Sequence, residues 1–262
     1  MTEDDRGAGA RTIALLKIVA ESGATFTLTQ LGAQAALPPS SVHRLLQPLI
    51  RSGMVERGTG QAYRVGSEFH RVASLIMQHV DPGRLADPIL RRLWSQWEET
   101  CSLCVYKPST HTAVVVATIQ TPHPLRFMIE RHTELSLSWG SLGRAILASL
   151  PDADAAEAMK NHALGPLSGQ AMPSAAQMAS VIEKVRTDGV ANYRNEEMDV
   201  AGVAAPVFRA DGTVLGSLGV TAPARRLLPH IALDIESSVK SAARELSALL
   251  GYKARDVLPS SR

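Results

Sequence analysis

Between Thr12 and Ala20 the apolar residues Ile13, Leu15, Leu16, Ile18 and Val19 recur at helical spacing, and Gly23 ends the pattern. Thr27 then precedes LTQLGAQAA, with Gln30 three residues on, which predicts a capping box at the start of a second helix. Leu28, Leu31 and Ala35 fall on one face of that helix. The stretch LPPSSVHRLLQPLIRSG, Leu37 to Gly53, predicts a third helix. Pro38 and Pro39 suit its first turn, where missing N–H groups cost nothing. Val42, Leu45, Leu46, Leu49 and Ile50 form one stripe, and Ser40, Ser41, His43, Arg44 and Gln47 are left on the other side. Pro48 comes a full turn after Arg44, where a lost bond to the Arg44 carbonyl bends the helix without disturbing its start. After Gly53 the period changes to two. MVER (54–57), the turn GTGQ (58–61) and AYRV (62–65) read as a β-hairpin.

Three helices and a hairpin within about 55 residues follow the plan of a winged helix-turn-helix, whose third helix enters the major groove of DNA. A buried structural helix has no need of a polar cluster at its start, whereas a helix whose first turn meets base edges does. Ser40, Ser41, His43, Arg44 and Gln47 are therefore the candidate groove contacts. Arg57 and Arg64 flank a wing that can reach the backbone or the minor groove. The formal charge of the whole chain, +2, is uninformative, but its distribution is not. From Arg11 to Val65 six basic residues stand against Glu21 and Glu56, so a basic excess sits on this segment. The competing reading is a three-helix cap that docks another protein.

Farther along, GSEFHRVASLIMQHV (66–80) places Phe69, Val72, Ala73, Ile76 and Met77 on one stripe, and DPG (81–83) stops it. A helix with so wide an apolar face between two domains packs on one of them or pairs with another copy. Arg84 to Thr100 predicts a further helix carrying Leu85, Ile89, Leu93, Trp94 and Trp97, with Pro88 near its start. Ser102–Lys107, Thr112–Gln120 and Pro124–Glu130 read as strands, and helices are predicted at 141–149, 152–160 and 174–187. Gly202–Arg209, the turn ADGT (210–213) and Val214–Pro223 read as a second hairpin. A closing helix over 229–250 carries Ile231, Ile235, Val239, Leu246 and Leu250. One antiparallel sheet with helices segregated to its sides is an α+β layer architecture.

Composition adds boundaries. With 45% hydrophobic and 20% charged residues the chain reads as a soluble globular protein, and no apolar run reaches the ~18–20 residues of a bilayer span. MTEDDRGAGA lacks the regions of a signal peptide, and two cysteines make no disulfide framework, so a cytoplasmic protein is expected. Cys101 and Cys104 form a CxxC, which suggests zinc or redox work. On a strand, however, side chains three positions apart face opposite ways, and no second CxxC or HxxxH completes a site. WGSLG (139–143) approaches a nucleophile elbow but has Trp139 in place of the first glycine. Glu196, Glu197 and Asp199 read as a solvated acidic loop, and no phosphate loop of the form GxxxxGK[ST] occurs. No catalytic residue, cofactor or metal is assigned. The reading that competes with a regulator is a small-metabolite enzyme or sensor with an N-terminal interaction module.

RTIALLKIVAE, LTQLGAQAALPPSSVHRLLQPLIRSGMVER and YRVG resemble the N-terminal domain of IclR-type (isocitrate lyase regulator) bacterial transcription factors. GSLGRAILASLP, IEKVRTDGVA and AAPVFRADGTVLGSLGVTAPARRL resemble that family's effector-binding domain in the right order and spacing. The resemblance implies a winged helix-turn-helix over 1–66, a linker helix over 67–82 that helps pair subunits, a GAF-like effector-binding domain over 83–253, and a tail over 254–262. It implies a double-stranded DNA operator, a small organic effector and a homodimer or dimer of dimers as partners. Carried over by alignment, Leu137, Ser141, Leu142, Gly202, Gly219, Thr221 and Asn195 are pocket candidates. Trp139, Phe127 and Cys104 are candidate walls. The family's L-P-x-H reads Leu135-Ser136-Leu137-Ser138 here, its cysteine before the AAP run reads Gly202, and Trp139 adds bulk. These departures point to an aromatic or acyl ligand over a small keto acid.

Overall fold

A computed structural model describes residues 7–78, 80–160, 165, 169–171 and 173–253; the tail expected over 254–262 lies outside them. The chain divides into two compact units, Met1–Val80 and Asp81–Arg262.

In the first unit, α1 (Ala8–Glu21), α2 (Leu28–Ala35) and α3 (Pro39–Arg51) bury one stripe each. The box at the start of α2 is closed at both ends: Gln30 N donates to Thr27 Oγ1 (3.2 Å), and Thr27 N donates to Gln30 Oε1 (2.8 Å). Ala36 takes the left-handed conformation that ends α2, and Pro38 and Pro39 set the start of α3. β2 (Val55–Arg57) and β3 (Ala62–Val65) form the wing hairpin. A two-residue strand that periodicity did not suggest, β1 (Phe26–Thr27), adds to β3, giving the order β1-β3-β2. Leu15, Leu31, Val42, Leu46 and Val55 are sealed in the core. α4 (Ser67–Gln78) leaves the hairpin through Gly66, whose N–H donates to Met54 O at 2.8 Å. A Cβ at Gly66 would lie 2.0 Å from Gly53 O, so this close approach requires glycine. Phe69 packs on the core of this unit, whereas Leu75 and Ile76 at the far end of α4 are 45% and 61% exposed. The side chain of Met77, the last member of the stripe, lies outside the described residues.

The second unit is built on one antiparallel sheet. Its strands are β4 (Thr100–Lys107), β5 (Thr112–Ile119), β6 (Glu134–Ser136), β7 (Ala191–Asn195), β8 (Val200–Phe208) and β9 (Val214–Ala222), in the order β6-β5-β4-β9-β8-β7. On one face α5 (Pro82–Trp97) and α9 (Pro229–Leu249) cover Cys101, Leu103, Val203, Val207, Leu218 and Val220. On the other, α6 (Gly140–Ser149), α7 (Asp152–Met159) and α8 (Ala175–Asp188) cover Cys104, Val115, Ala191 and Ala204. Alternation along each strand thus feeds two cores, as a sheet covered on both faces requires.

One expectation is corrected, and one strand is added. The run 124–130 is not a strand, although its period of two is real. Its carbonyls at alternate positions are met by side chains: Thr100 Oγ1 donates to Phe127 O (3.3 Å) and Gln120 Nε2 to Ile129 O (2.7 Å). The edge position beside β5 is taken by β6 instead. The polar stretch 191–195, assigned to no element from periodicity, is β7, paired with β8 from Ala191 opposite Ala204 to Asn195 opposite Val200.

Candidate nucleic-acid interface and ligand cavity

The start of α3 carries a polar face clear of the core. Ser40, His43 and Arg44 are exposed, Ser41 and Gln47 are half-buried, and Val42, Leu45, Leu46 and Leu49 turn inward. α3 has no side-chain cap, so Pro38 O receives the first bonds, from Ser41 N (2.9 Å) and Val42 N (3.1 Å). His43 and Gln47, one turn apart, are bonded to each other (Nε2 to Nε2, 3.1 Å), which sets both side chains along the exposed face. Arg44 and Arg57 are exposed cations with no ion pair among the described residues. Arg64 differs: it forks onto Glu56 Oε2 (3.1 and 2.9 Å), whose other oxygen accepts from Ser67 N (3.0 Å). The Ser67 amide first, and then Arg64, hold the Glu56 carboxyl below its ordinary range. Of the two wing cations, Arg57 makes no ion pair among the described residues and Arg64 is paired.

In the second unit a cavity of about 480 Å³ opens between the start of α6, the pocket face of β8 and β9, β6 and the segment 127–129. Phe127, Trp139, Ser141, Leu142, Gly202 and Thr221 line it together. Gly202 sits at its floor with ordinary extended backbone, and a Cβ there would come within 2.6 Å of Ser141 Oγ and 3.5 Å of Thr221 Oγ1. The glycine therefore provides space. Ser141 is 4% exposed, and neither its hydroxyl nor that of Thr221 makes a hydrogen bond among the described residues. α6 begins at this wall without a side-chain cap, which leaves first-turn N–H groups available to an oxygen atom.

Three of the alignment candidates and one candidate wall do not line the cavity. Leu137 is buried in the core under α6, where the chain passes so close that a Cβ on Gly143 would meet Leu137 Cα at 2.9 Å. Cys104 is fully buried near the middle of the sheet. Gly219 faces neighbouring strand backbone, with Val203 O 2.4 Å from its hypothetical Cβ. Asn195 shapes the β7–β8 turn by accepting from Met198 N at 3.0 Å, and it is Met198 that reaches the cavity.

Sequence reasoning missed Tyr193, Met198, Met128 and Ile129. Tyr193 lies directly opposite Gly202 in the β7–β8 ladder, so recognising β7 would have revealed it. Its ring is held from behind by Arg144, whose guanidinium carbon is 4.9 Å from the ring centroid and whose Nε donates to Ser138 O (3.2 Å). Burial lowers the Arg144 pKa. Cys101 and Cys104 point into opposite cores, and burial pushes each thiol up to about 12, which removes the thiolate that metal binding or nucleophilic attack needs. Among the described residues no group of three or more His, Cys, Asp or Glu can hold a metal ion, and no helix is long and apolar enough to cross a membrane.

The geometry can be set beside known proteins. Residues 10–58 match the IclR helix-turn-helix domain, and residues 75–248 match the C-terminal domain of bacterial transcriptional regulator IclR. The chain is 25% identical over 244 residues to the transcriptional repressor IclR of Escherichia coli strain K12, covering 92% of this chain and 89% of that protein. Its fold matches the crystal structure of Pseudomonas aeruginosa HmgR with a TM-score of 0.78 at 26% identity, over 95% of this chain and 99% of that one. An IclR-type regulator from Silicibacter sp. TM1040 matches with a TM-score of 0.82 at 22% identity, over 97% and 100% of the two chains. With both domain models matched in order, the second over more than half of this chain, the protein belongs to the IclR family of bacterial DNA-binding transcriptional regulators.

Proposed function

We propose that this regulator is a cytoplasmic repressor that grips a double-stranded DNA operator until a small organic effector fills the cavity of its second unit. The effector is an aromatic or acyl compound ending in a carboxylate or carbonyl oxygen. One observation carries the reading: the Ser141 hydroxyl, on a residue only 4% exposed, stands open to the cavity beside the uncapped start of α6. An oxygen-ended ligand can accept from this hydroxyl and from the first-turn N–H groups together. Phe127, Trp139 and Tyr193 supply flat walls for the rest of the molecule.

The repressor works as a homodimer or a dimer of dimers. A single winged helix covers too little DNA for strong specificity, and symmetric copies double the contacts on a palindromic site. The exposed Leu75 and Ile76 of α4 support an interface along the linker helix. Light scattering at micromolar protein tests this part, and a monomer with and without DNA defeats it. The effector part is tested by a thermal-shift screen of aromatic and aliphatic carboxylates, amides and related acyl compounds. A true effector raises the melting temperature of the wild type but not of Gly202→Leu, and it releases operator DNA in a gel shift. Compounds that stabilise both proteins equally bind somewhere other than this cavity.

A further inference from the structure

Two rims of the cavity, besides the wall at Gly165, are fastened to one short segment among the described residues. One rim is the strap over 122–131, which closes the cavity through Phe127, Met128 and Ile129. Besides the bonds from Thr100 and Gln120, it is held by Arg226, whose Nη1 donates to Leu125 O at 2.9 Å. The opposite rim is the β7–β8 turn, where Met198 and Val200 line the cavity and Asp199 has a left-handed φ of 46°. Asp199 O accepts from Ala224 N (3.0 Å), and the Asp199 carboxylate takes both Arg225 N (3.2 Å) and Arg225 Nη1 (3.0 Å). Arg194 Nη1, from the end of β7, donates to Leu227 O at 2.7 Å.

Each residue from Ala224 to Leu227 thus bonds to one rim or the other. Arg226 is the firmest of the four: beyond the strap carbonyl it makes a bidentate pair with Glu99, a carboxylate only 7% exposed. Glu99 stands between α5 and β4, while Ala224 and Leu227 are buried in the core beneath α5 and α9, and α9 begins at Pro229. The helix layer is tied across as well, Arg92 of α5 to Glu245 of α9. In sequence, only three residues separate α5 from the linker helix α4.

We propose that Arg226 is the positioning residue of the cavity mouth, and that segment 224–227 obliges the strap, the β7–β8 turn and the α5–α9 layer to move together. A molecule that displaces either rim then shifts the helix layer that continues by the chain into α4. The linkage between the rims stands without any ligand; only its consequence for DNA rests on the effector reading.

Hydrogen exchange on the full-length protein with no added small molecule tests it. Arg226→Lys keeps the charge but loses the planar fork whose three separate nitrogens reach the two Glu99 oxygens and the Leu125 carbonyl. Strap amides are expected to exchange at least tenfold faster, and amides of 195–200, on which Arg226 acts only through its charge near Asp199, a charge the lysine keeps, to quicken with them. Reciprocally, Arg225→Ala at the other rim quickens the strap. Glu99→Gln gives a weaker version of the Arg226→Lys pattern and decides the matter if Arg226→Lys fails to fold. Loosening confined to the rim beside the substituted residue overturns the proposal, as does a uniform rise that includes β4 and β5. Because no effector or DNA is present, this result is independent of whether the effector reading holds.

Discussion

In the first unit, the residues proposed to meet DNA lie on one continuous piece of chain, from Ser40 to Gln47, with the wing arginines close behind. In the second, the cavity gathers side chains from stretches as distant as Phe127 and Thr221. The first surface is the polar remainder of an amphipathic helix, and its position follows from helical phase alone. The second is an apolar space left where α6, the strap and the sheet edge fail to close, and its position follows from long-range pairing. A surface of the first kind can lose one side chain without much effect on its neighbours. In a space of the second kind, each wall residue also supports the wall behind it.

The hardest test of this contrast is Leu46→Ala. Leu46 is fully buried in the core of the first unit, so the loss should be ~2–5 kcal/mol. All three tryptophans, Trp94, Trp97 and Trp139, belong to the second unit, so their fluorescence reports on that unit only. Far-ultraviolet circular dichroism should show an early transition that tryptophan fluorescence does not follow. Coincident transitions would mean that the two cores unfold as one, and that the contrast between them has no thermodynamic content.

Next in size is Arg44→Ala, expected to weaken operator binding by ~1–3 kcal/mol if Arg44 reads a base. A gel-shift titration at several salt concentrations distinguishes a base contact from a phosphate contact. The base contact lowers affinity for the operator alone, and the phosphate contact lowers it for all sequences and flattens the salt slope. Unchanged affinity and slope would take α3 out of the recognition role.

How far each region could be read from the sequence follows the same contrast. The capping box of Thr27 and Gln30, the paired prolines and the change from period 3.6 to period 2 after Gly53 are local signals, and the structure repeats them element by element. β1 escaped because two residues carry no period. In the second unit the helices and the last hairpin were legible, yet 124–130 alternates like a strand while its carbonyls bond to side chains. Tyr193 was invisible for a different reason. Its place in the cavity depends on facing Gly202 across a ladder, and nothing in ANYRN says which strand will lie alongside. Leu137 and Gly219 show the converse: alignment brings them near the site, and one close approach in each case turns them to packing.

Gly202→Leu probes the cavity as Arg44→Ala probes the helix. The obstructing atom nearest a new Cβ is the Ser141 hydroxyl, and the backbone at Gly202 is one that any residue adopts. The expected outcome is a folded protein that binds its operator normally but has lost at least tenfold in effector affinity, about 1.4 kcal/mol. Circular dichroism and melting temperature establish folding. A well-folded variant that still responds in full to its effector moves the site out of this cavity.

The smallest effect separates the two wing cations. Arg57 has no partner among the described residues, so Arg57→Ala should reduce the salt slope of DNA binding by ~0.9 for one lost phosphate contact. Arg64 is bound to Glu56, and Arg64→Ala should reduce it less. Because the Glu56 carboxyl is held below its usual 4.5 in the folded state, its contribution to stability is complete above that value. The contribution is lost only as pH falls through the depressed value, so at neutral pH Glu56 is charged and masks Arg64. Glu56→Gln should therefore steepen the salt slope by freeing Arg64, and it should flatten the acid limb of the first unit's melting curve below about pH 4.5. A flattened acid limb with no change in slope would leave the ion pair as a fastening between the wing and the start of α4, with Arg64 directed away from DNA.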